Sequence, residues 1–197
     1  VLNKLKLQMY STFDKSKFTV VGSPTITDDG VASGFKKGND LNFPAITVTD
    51  NSTIVIRTKI KTVPRASSSD TQGQCIFGFY KNGTDDLSQF LDAFSLWNGT
   101  NITLSYRVIE GESPRYISIS TTPNTEYEYK VEITKNAIKC YLDGELKGQQ
   151  LNLSFDMSLI NNVIGSIGTG ARKGLTPTRM KIYLPDFSIT VDGKEVF

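Results

Sequence analysis

The 197-residue sequence contains no histidine. This removes the commonest general base, the Ser-His and Cys-His nucleophile pairs, and the commonest transition-metal ligand. Only two cysteines occur, Cys75 and Cys140, and with no histidine and no third cysteine a zinc site is not expected. They read as two small buried apolar side chains, with a disulfide as the other reading. No apolar run approaches the roughly 20 residues needed to span a bilayer, so membrane insertion is not expected. Net charge is only +2, with 22 basic residues scattered among 20 acidic ones. No Lys/Arg run resembles a phosphate-tracking stripe, so nucleic acid is not an expected partner. The opening VLNKLKLQMY has neither an initiator Met nor a signal-peptide pattern, which reads as an excised or processed piece.

What is present is strand alternation. In residues 127–148, Tyr127, Tyr129, Val131 and Ile133 fall on one parity, with Glu126, Glu128, Lys130 and Glu132 on the other. Successive strand side chains point to opposite faces, so this run has one apolar and one charged wall. Ile138, Cys140 and Leu142 repeat the pattern after an Asn136 turn, and Asp143-Gly144 carries a tight-turn signal. Ile54, Ile56, Thr58 and Ile60 alternate with Val55, Arg57, Lys59 and Lys61. Residues 102–109 alternate likewise, Arg107 falling on the polar parity; Ile117 and Ile119 continue the pattern, with Tyr116 on the polar side. Residues 75–80 are apolar on both parities and read as a central strand. Asp28-Asp29-Gly30 reads as a hairpin turn, 64–73 as a mobile loop by composition, 151–160 as a short helical turn or irregular crossing, and 168–177 as a Gly-rich loop. About a dozen short strands with no sustained helical period indicate an all-β sandwich or barrel. Residues 1–17 read as an opening strand or linker, and 18–197 as a single domain.

The run YEYKVEITKNAIKCYLDGEL resembles the hairpin of concanavalin A-like and laminin-G-like jelly rolls, and the tail LPDFSITVDGKEVF resembles their closing strand, which returns beside the first. The stretch SPTITDDGVASGF resembles the early strands of such modules in bacterial surface and phage tail proteins. The resemblance spans residues 18–197 and implies a jelly-roll β-sandwich of two antiparallel sheets. That fold carries lectins, glycosidases, protein-binding domains and spacers, so it does not by itself name a function.

Glycosidases of the resembled family place a Glu-x-Asp-x-x-Glu motif on a concave strand, because hydrolysis needs two carboxyl groups flanking the scissile bond. Glu126, Glu128 and Glu132 miss both the Asp and the spacing, and Lys130 interrupts them. They read as a solvated face, and no catalytic residue is assigned. Sugar binders instead stack aromatic rings on the apolar faces of sugars and fix the hydroxyls with planar polar groups. Trp97, beside the Asn98-Gly99 turn, and Tyr80, before Asn82-Gly83, are candidate platforms, although an aromatic on a sandwich strand is more often core. Asn98, Arg107, Tyr116 and Arg172, the last in the Gly-rich loop, are candidate polar or face residues. Calcium wants six to eight oxygen ligands, and Asn39-Asp40 and Asp85-Asp86 supply too few, so no metal or cofactor is expected. Five Asn-x-Ser/Thr triplets occur, at Asn51, Asn82, Asn98, Asn101 and Asn152, and are not read as glycosylated.

The sequence is therefore expected to encode a non-catalytic, lectin-like module for a cell-surface polysaccharide, in a phage tail or bacterial surface protein on the virion or cell exterior. Other subunits of a larger assembly are possible partners. The alternatives are a structural or assembly domain without sugar binding and a degenerate glycoside hydrolase.

Overall fold

The computed structural model describes residues 13–36, 38–64, 73–80, 89–96, 98–168 and 178–197, leaving aside the side chains of Tyr80, Gln89 and Phe90. Four short strands come first: β1 (Thr19–Val21), β2 (Thr25–Ile26), β3 (Val31–Ser33) and β4 (Asp40–Phe43). β5 (Ile54–Lys61), β6 (Gln74–Tyr80), β7 (Gln89–Ser95), β8 (Asn101–Tyr106) and β9 (Arg115–Ser120) follow. The last six are β10 (Glu126–Thr134), β11 (Ala137–Leu142), β12 (Glu145–Leu151), β13 (Gly165–Ile167), β14 (Lys181–Val191) and β15 (Lys194–Glu195). They build two antiparallel sheets, one of seven strands in the order β1-β4-β13-β6-β7-β8-β9, the other of eight in which β12-β11-β10-β5-β14-β3-β2 run side by side and β15 pairs with β14. The protein is an all-β jelly-roll sandwich.

Alternation decides which walls meet. Val131 lies opposite Ile56 and Cys140, and Ile133 opposite Ile54 and Ile138, all fully buried. Across the seven-stranded sheet, Leu41, Ile167, Phe77, Ala93, Leu104 and Ile117 form a matching inner row. Aromatic rings join the two layers. Phe77 packs 6.4 Å from both Tyr129 and Phe187, and Phe43 packs 5.4 Å from Phe187 and 5.6 Å from Phe79. Such offset and edge-on pairs add to the area they bury.

The turns follow local chemistry. Asp143 (φ 49°) and Gly144 (φ 82°) both take the left-handed conformation that a two-residue hairpin matched to strand twist requires. Asp28-Asp29-Gly30 connects β2 to β3, the Thr27 N–H donating to Val31 O. Within residues 151–160 a single 3-10 turn, Met157–Leu159, is capped by Asp156, whose carboxylate accepts from Ser158 N. Both cysteines are buried, Cys75 on β6 and Cys140 on β11 in the other sheet, and no disulfide joins them. Burial pushes the Cys140 thiol up to about 12.

One expectation changes. The closing strand β14 does not return beside the first; it lies between β5 and β3, while β1 pairs with β4 in the other sheet. β14 has a continuous buried wall suited to a central place, whereas Thr19 and Val20 of β1 are exposed, as an edge strand allows. β14 runs through Pro185 as one strand. The register with β5 shifts between Tyr183 and Ser188, so burial passes from Ile182 and Leu184 to Phe187, Ile189 and Val191. Proline lacks an N–H and is tolerated at such an irregularity.

Gly165 is required by this packing, because a Cβ there would stand 2.0 Å from the Phe43 ring. Gly165→Ala should lower unfolding free energy by about 1–3 kcal/mol, the usual cost of overpacking, as read by urea denaturation. Gly111→Ala, where a Cβ meets nothing within 4 Å, should lose only the smaller cost of its positive φ.

Candidate functional site

Directly opposed residues in an antiparallel sheet share a face, so the registers also define the outer wall of the seven-stranded sheet. Thr19 opposes Asn42, Asn42 opposes Ser166, and Ser166 opposes Gly78. Gly78 opposes Asp92, Asp92 opposes Ser105, and Ser105 opposes Tyr116. One row thus crosses all seven strands, about 29 Å at ordinary strand spacing, and contains no aliphatic side chain. Beside it runs a shorter row of Cys75, Phe94, Thr103 and Ser118.

Burial along this polar wall is uneven. Asp92 is 0% exposed, Ser105 1%, Thr103 5% and Ser166 6%, while Thr19, Ser118 and Tyr116 at the rim are exposed, Tyr116 at 52%. Burying a hydroxyl or carboxylate away from water is costly unless it is bonded. Thr103 meets this by a 2.9 Å hydroxyl–hydroxyl hydrogen bond with Ser118. Ser105 Oγ does not: it is buried and has no hydrogen-bond partner among the described residues. Gly78, at the centre of the row, is buried between Ser166 and Asp92 in register. The row therefore contains a buried carboxylate, hydroxyls and a half-buried amide (Asn42), and ends in an exposed aromatic ring.

The expected site residues are only partly gathered here. Tyr116 lies in the row. Asn98 is instead a turn residue, its Oδ1 accepting from Thr100 N (3.2 Å) and Thr100 Oγ1 (2.8 Å). Arg107 stands one residue beyond the end of β8, half-buried and outside the row. Trp97, Arg172 and the Tyr80 side chain lie outside the described residues, as do residues 65–72 of the loop expected at 64–73, Asp85-Asp86 and 169–177 of the Gly-rich loop. Asp92, Ser105 and Ser166 carried no sequence signal as site residues. Their parity marks them as outward, but only the register joins them.

A second wall, on the outer face of the eight-stranded sheet, is charged. Glu126 accepts a 2.5 Å hydrogen bond from the Tyr183 hydroxyl and forms a 3.1 Å ion pair with Lys59. These contacts hold its carboxyl below the ordinary range, the tyrosine bond contributing most. Lys130 pairs with Glu132 at 3.9 Å, so the three glutamates form the solvated, base-interleaved face expected of them. On the polar wall, Asp40 and Asp92 are both outward but three strands and two residues apart, roughly 16 Å by strand geometry. Glycoside hydrolysis needs carboxyl groups at about 5–9 Å. Among the described residues no group of three His, Cys, Asp or Glu side chains is placed to hold a metal ion.

No family profile and no curated protein matches this sequence. Solved structures do match its fold. The botulinum neurotoxin serotype G binding domain superposes with a TM-score of 0.63 at 14% identity, over 97% of this chain and 45% of that one. The binding domain of Paraclostridial Mosquitocidal Protein 1 gives 0.60 at 13% identity, over 87% and 43%. The alginate lyase AlyC3 gives 0.58 at 7% identity, over 84% and 76%. The chain spans less than half the length of the toxin binding domains, and these likenesses establish the sandwich alone.

Two outcomes follow from the geometry. Thr103→Val should cost about 0.5–1.5 kcal/mol by removing a made hydrogen bond, whereas Ser105→Ala should be neutral or stabilising by denaturant melts, since its hydroxyl has no partner. On the charged wall, burial first and the Glu126 bond second push the Tyr183 phenol up to about 12. A folded-state value above the ordinary 10.0 means this contribution to stability is complete below pH 10 and lost as pH rises through about 12. A Tyr183→Phe difference titration of phenolate absorbance should show it, and Glu126→Gln should move the transition down.

Proposed function

We propose that this chain is a non-catalytic carbohydrate-recognition module that holds a glycan along the outer polar row of its seven-stranded sheet. The observation that carries this reading is the row itself. Uncharged hydroxyls, one carboxylate and a central glycine lie in register with an exposed tyrosine at the end of the row, and Ser105 Oγ is buried without a partner among the described residues. Sugars present paired hydroxyls and an apolar ring face. A carboxylate and side-chain hydroxyls can bond the first, and the Tyr116 ring can stack on the second. A buried hydroxyl with no protein partner has unused bonding capacity that a ligand hydroxyl would satisfy. The glycan would enter from the exposed Tyr116 end, with Asp92 and Ser105 at the floor.

Support from similarity is coarser. Two of the matched structures are named as binding domains, one of a botulinum neurotoxin and one of Paraclostridial Mosquitocidal Protein 1, and a third match is named as the receptor binding domain of botulinum neurotoxin mosaic serotype C/D, at 13% identity. An extracellular recognition role agrees with this company. The finer setting, a cell-surface polysaccharide bound by a phage tail or bacterial surface protein, rests on the resemblance of the hairpin and tail motifs.

A glycan array with the purified chain tests the reading. Binding is expected, weakened about tenfold by Tyr116→Ala through lost stacking and more by Asp92→Asn. Binding that survives both changes but is lost in Trp97→Ala would move the platform to the β7–β8 turn. An array with no binding would leave the structural domain as the better reading.

A further inference from the structure

The outer face of the eight-stranded sheet, on the opposite side of the sandwich from the polar row, contains a pocket of about 250 Å³. Arg57 and Lys59 of β5, Glu128 and Lys130 of β10, Asp186 of β14 and Gly144 of the β11–β12 turn line it. Its charges are arranged in a way the protein does not itself resolve. Arg57 lies directly opposite Lys130, and like charges in that position destabilise a sheet. Lys130 is accommodated, its Nζ lying 3.6 Å from the centre of the Tyr141 ring and 3.9 Å from Glu132. Arg57 is exposed and, among the described residues, makes no ion pair, hydrogen bond or ring contact.

The other side of the pocket is the converse. Glu128 and Asp186 line it without an ion pair. Lys59, which opposes Glu128 on the neighbouring strand, directs its Nζ to Glu126 instead. Glu128 is two residues along β10 from Lys130, about 7 Å at the strand rise. Arg57, beside the already engaged Lys130, therefore faces two carboxylates without ion pairs across roughly the length of one sugar ring, inside a pocket large enough to admit one.

We infer that this pocket binds a saccharide-sized zwitterion, with its acidic oxygens between Arg57 and Lys130 and its ammonium group toward Glu128 and Asp186. An acid group there would relieve the Arg57–Lys130 repulsion and accept charge-assisted hydrogen bonds. An ammonium group would neutralise the two carboxylates. A plain anion would satisfy the first need while leaving it beside the second. The site is separate from the polar row and stands whether or not that row binds glycan.

The test is an NMR titration of the whole chain with three sugars that differ by one group: glucosamine 6-phosphate, glucose 6-phosphate and glucosamine. Glucosamine 6-phosphate should shift the amides of Arg57, Glu128 and Lys130. The two singly charged sugars should bind at least about tenfold more weakly, each lacking one charged contact. Arg57→Gln should abolish the shifts with Tm unchanged or raised, and Glu128→Gln should make glucose 6-phosphate bind as well as glucosamine 6-phosphate. Equal binding of the two phosphates by the unaltered chain would reduce the pocket to an anion seat and overturn the inference. So would shifts confined to Ser105 and Tyr116, which would assign the sugar to the other face, or no shifts with any of the three.

Discussion

The packing of two apolar walls through a small set of aromatic rings is the constraint on which everything else here rests. Phe77 reaches across to Tyr129 and Phe187, and Phe187 reaches back to Phe43. Because side chains alternate, committing Phe77, Ala93 and Leu104 to this contact turns Gly78, Asp92 and Ser105 outward with no further choice. The register that seats the rings is therefore the register that aligns the polar row. A one-residue slip in β7 would bury Asp92 in the core and expose Leu91 and Ala93, so the hydrophobic interior guards the outer chemistry.

The two outer walls differ in electrostatic character. The eight-stranded wall carries Arg57, Lys59, Lys130 and Lys181 together with Glu126, Glu128 and Asp186, mostly in exposed positions. Exposed ion pairs there, such as Lys59–Glu126, are screened and contribute little to stability. Their effect is to keep that face wet and resistant to association. The polar row has one carboxylate and its floor is buried, so each hydrogen bond made in it is electrostatically stronger than one made on the wet face. That contrast makes the polar row better suited to a neutral, hydroxyl-rich ligand and the eight-stranded wall better suited to a doubly charged one.

Much of the fold could be read from parity. The alternation in β5, β10 and β11, the double burial of β6 and the Asp143-Gly144 turn all have a one-to-one physical origin in local residues. β12 could not be read this way: from Glu145 to Leu151 it is exposed on both parities apart from the half-buried Gly148, because an edge strand paired only to β11 has no wall to bury. The continuity of β14 through Pro185 was hidden for a related reason. An irregularity reverses the parity, and a pattern of period two cannot show that the strand goes on.

The candidate site was less legible because parity says inward or outward and nothing about neighbours. Thr19, Asn42, Gly78, Asp92, Ser105, Tyr116 and Ser166 come from seven strands, one residue each, and no short motif contains two of them. Aromatic content drew attention to Trp97 and Tyr80, and turn chemistry to Asn98, yet Asn98 spends its side-chain oxygen on its own loop. Tyr116 alone combined an outward parity with a place in the row. Strand order and register are long-range properties, set by which apolar walls fit together. A site built across strands therefore becomes visible only after the core has been assembled, and its residues are recognised by what they oppose rather than by what they follow.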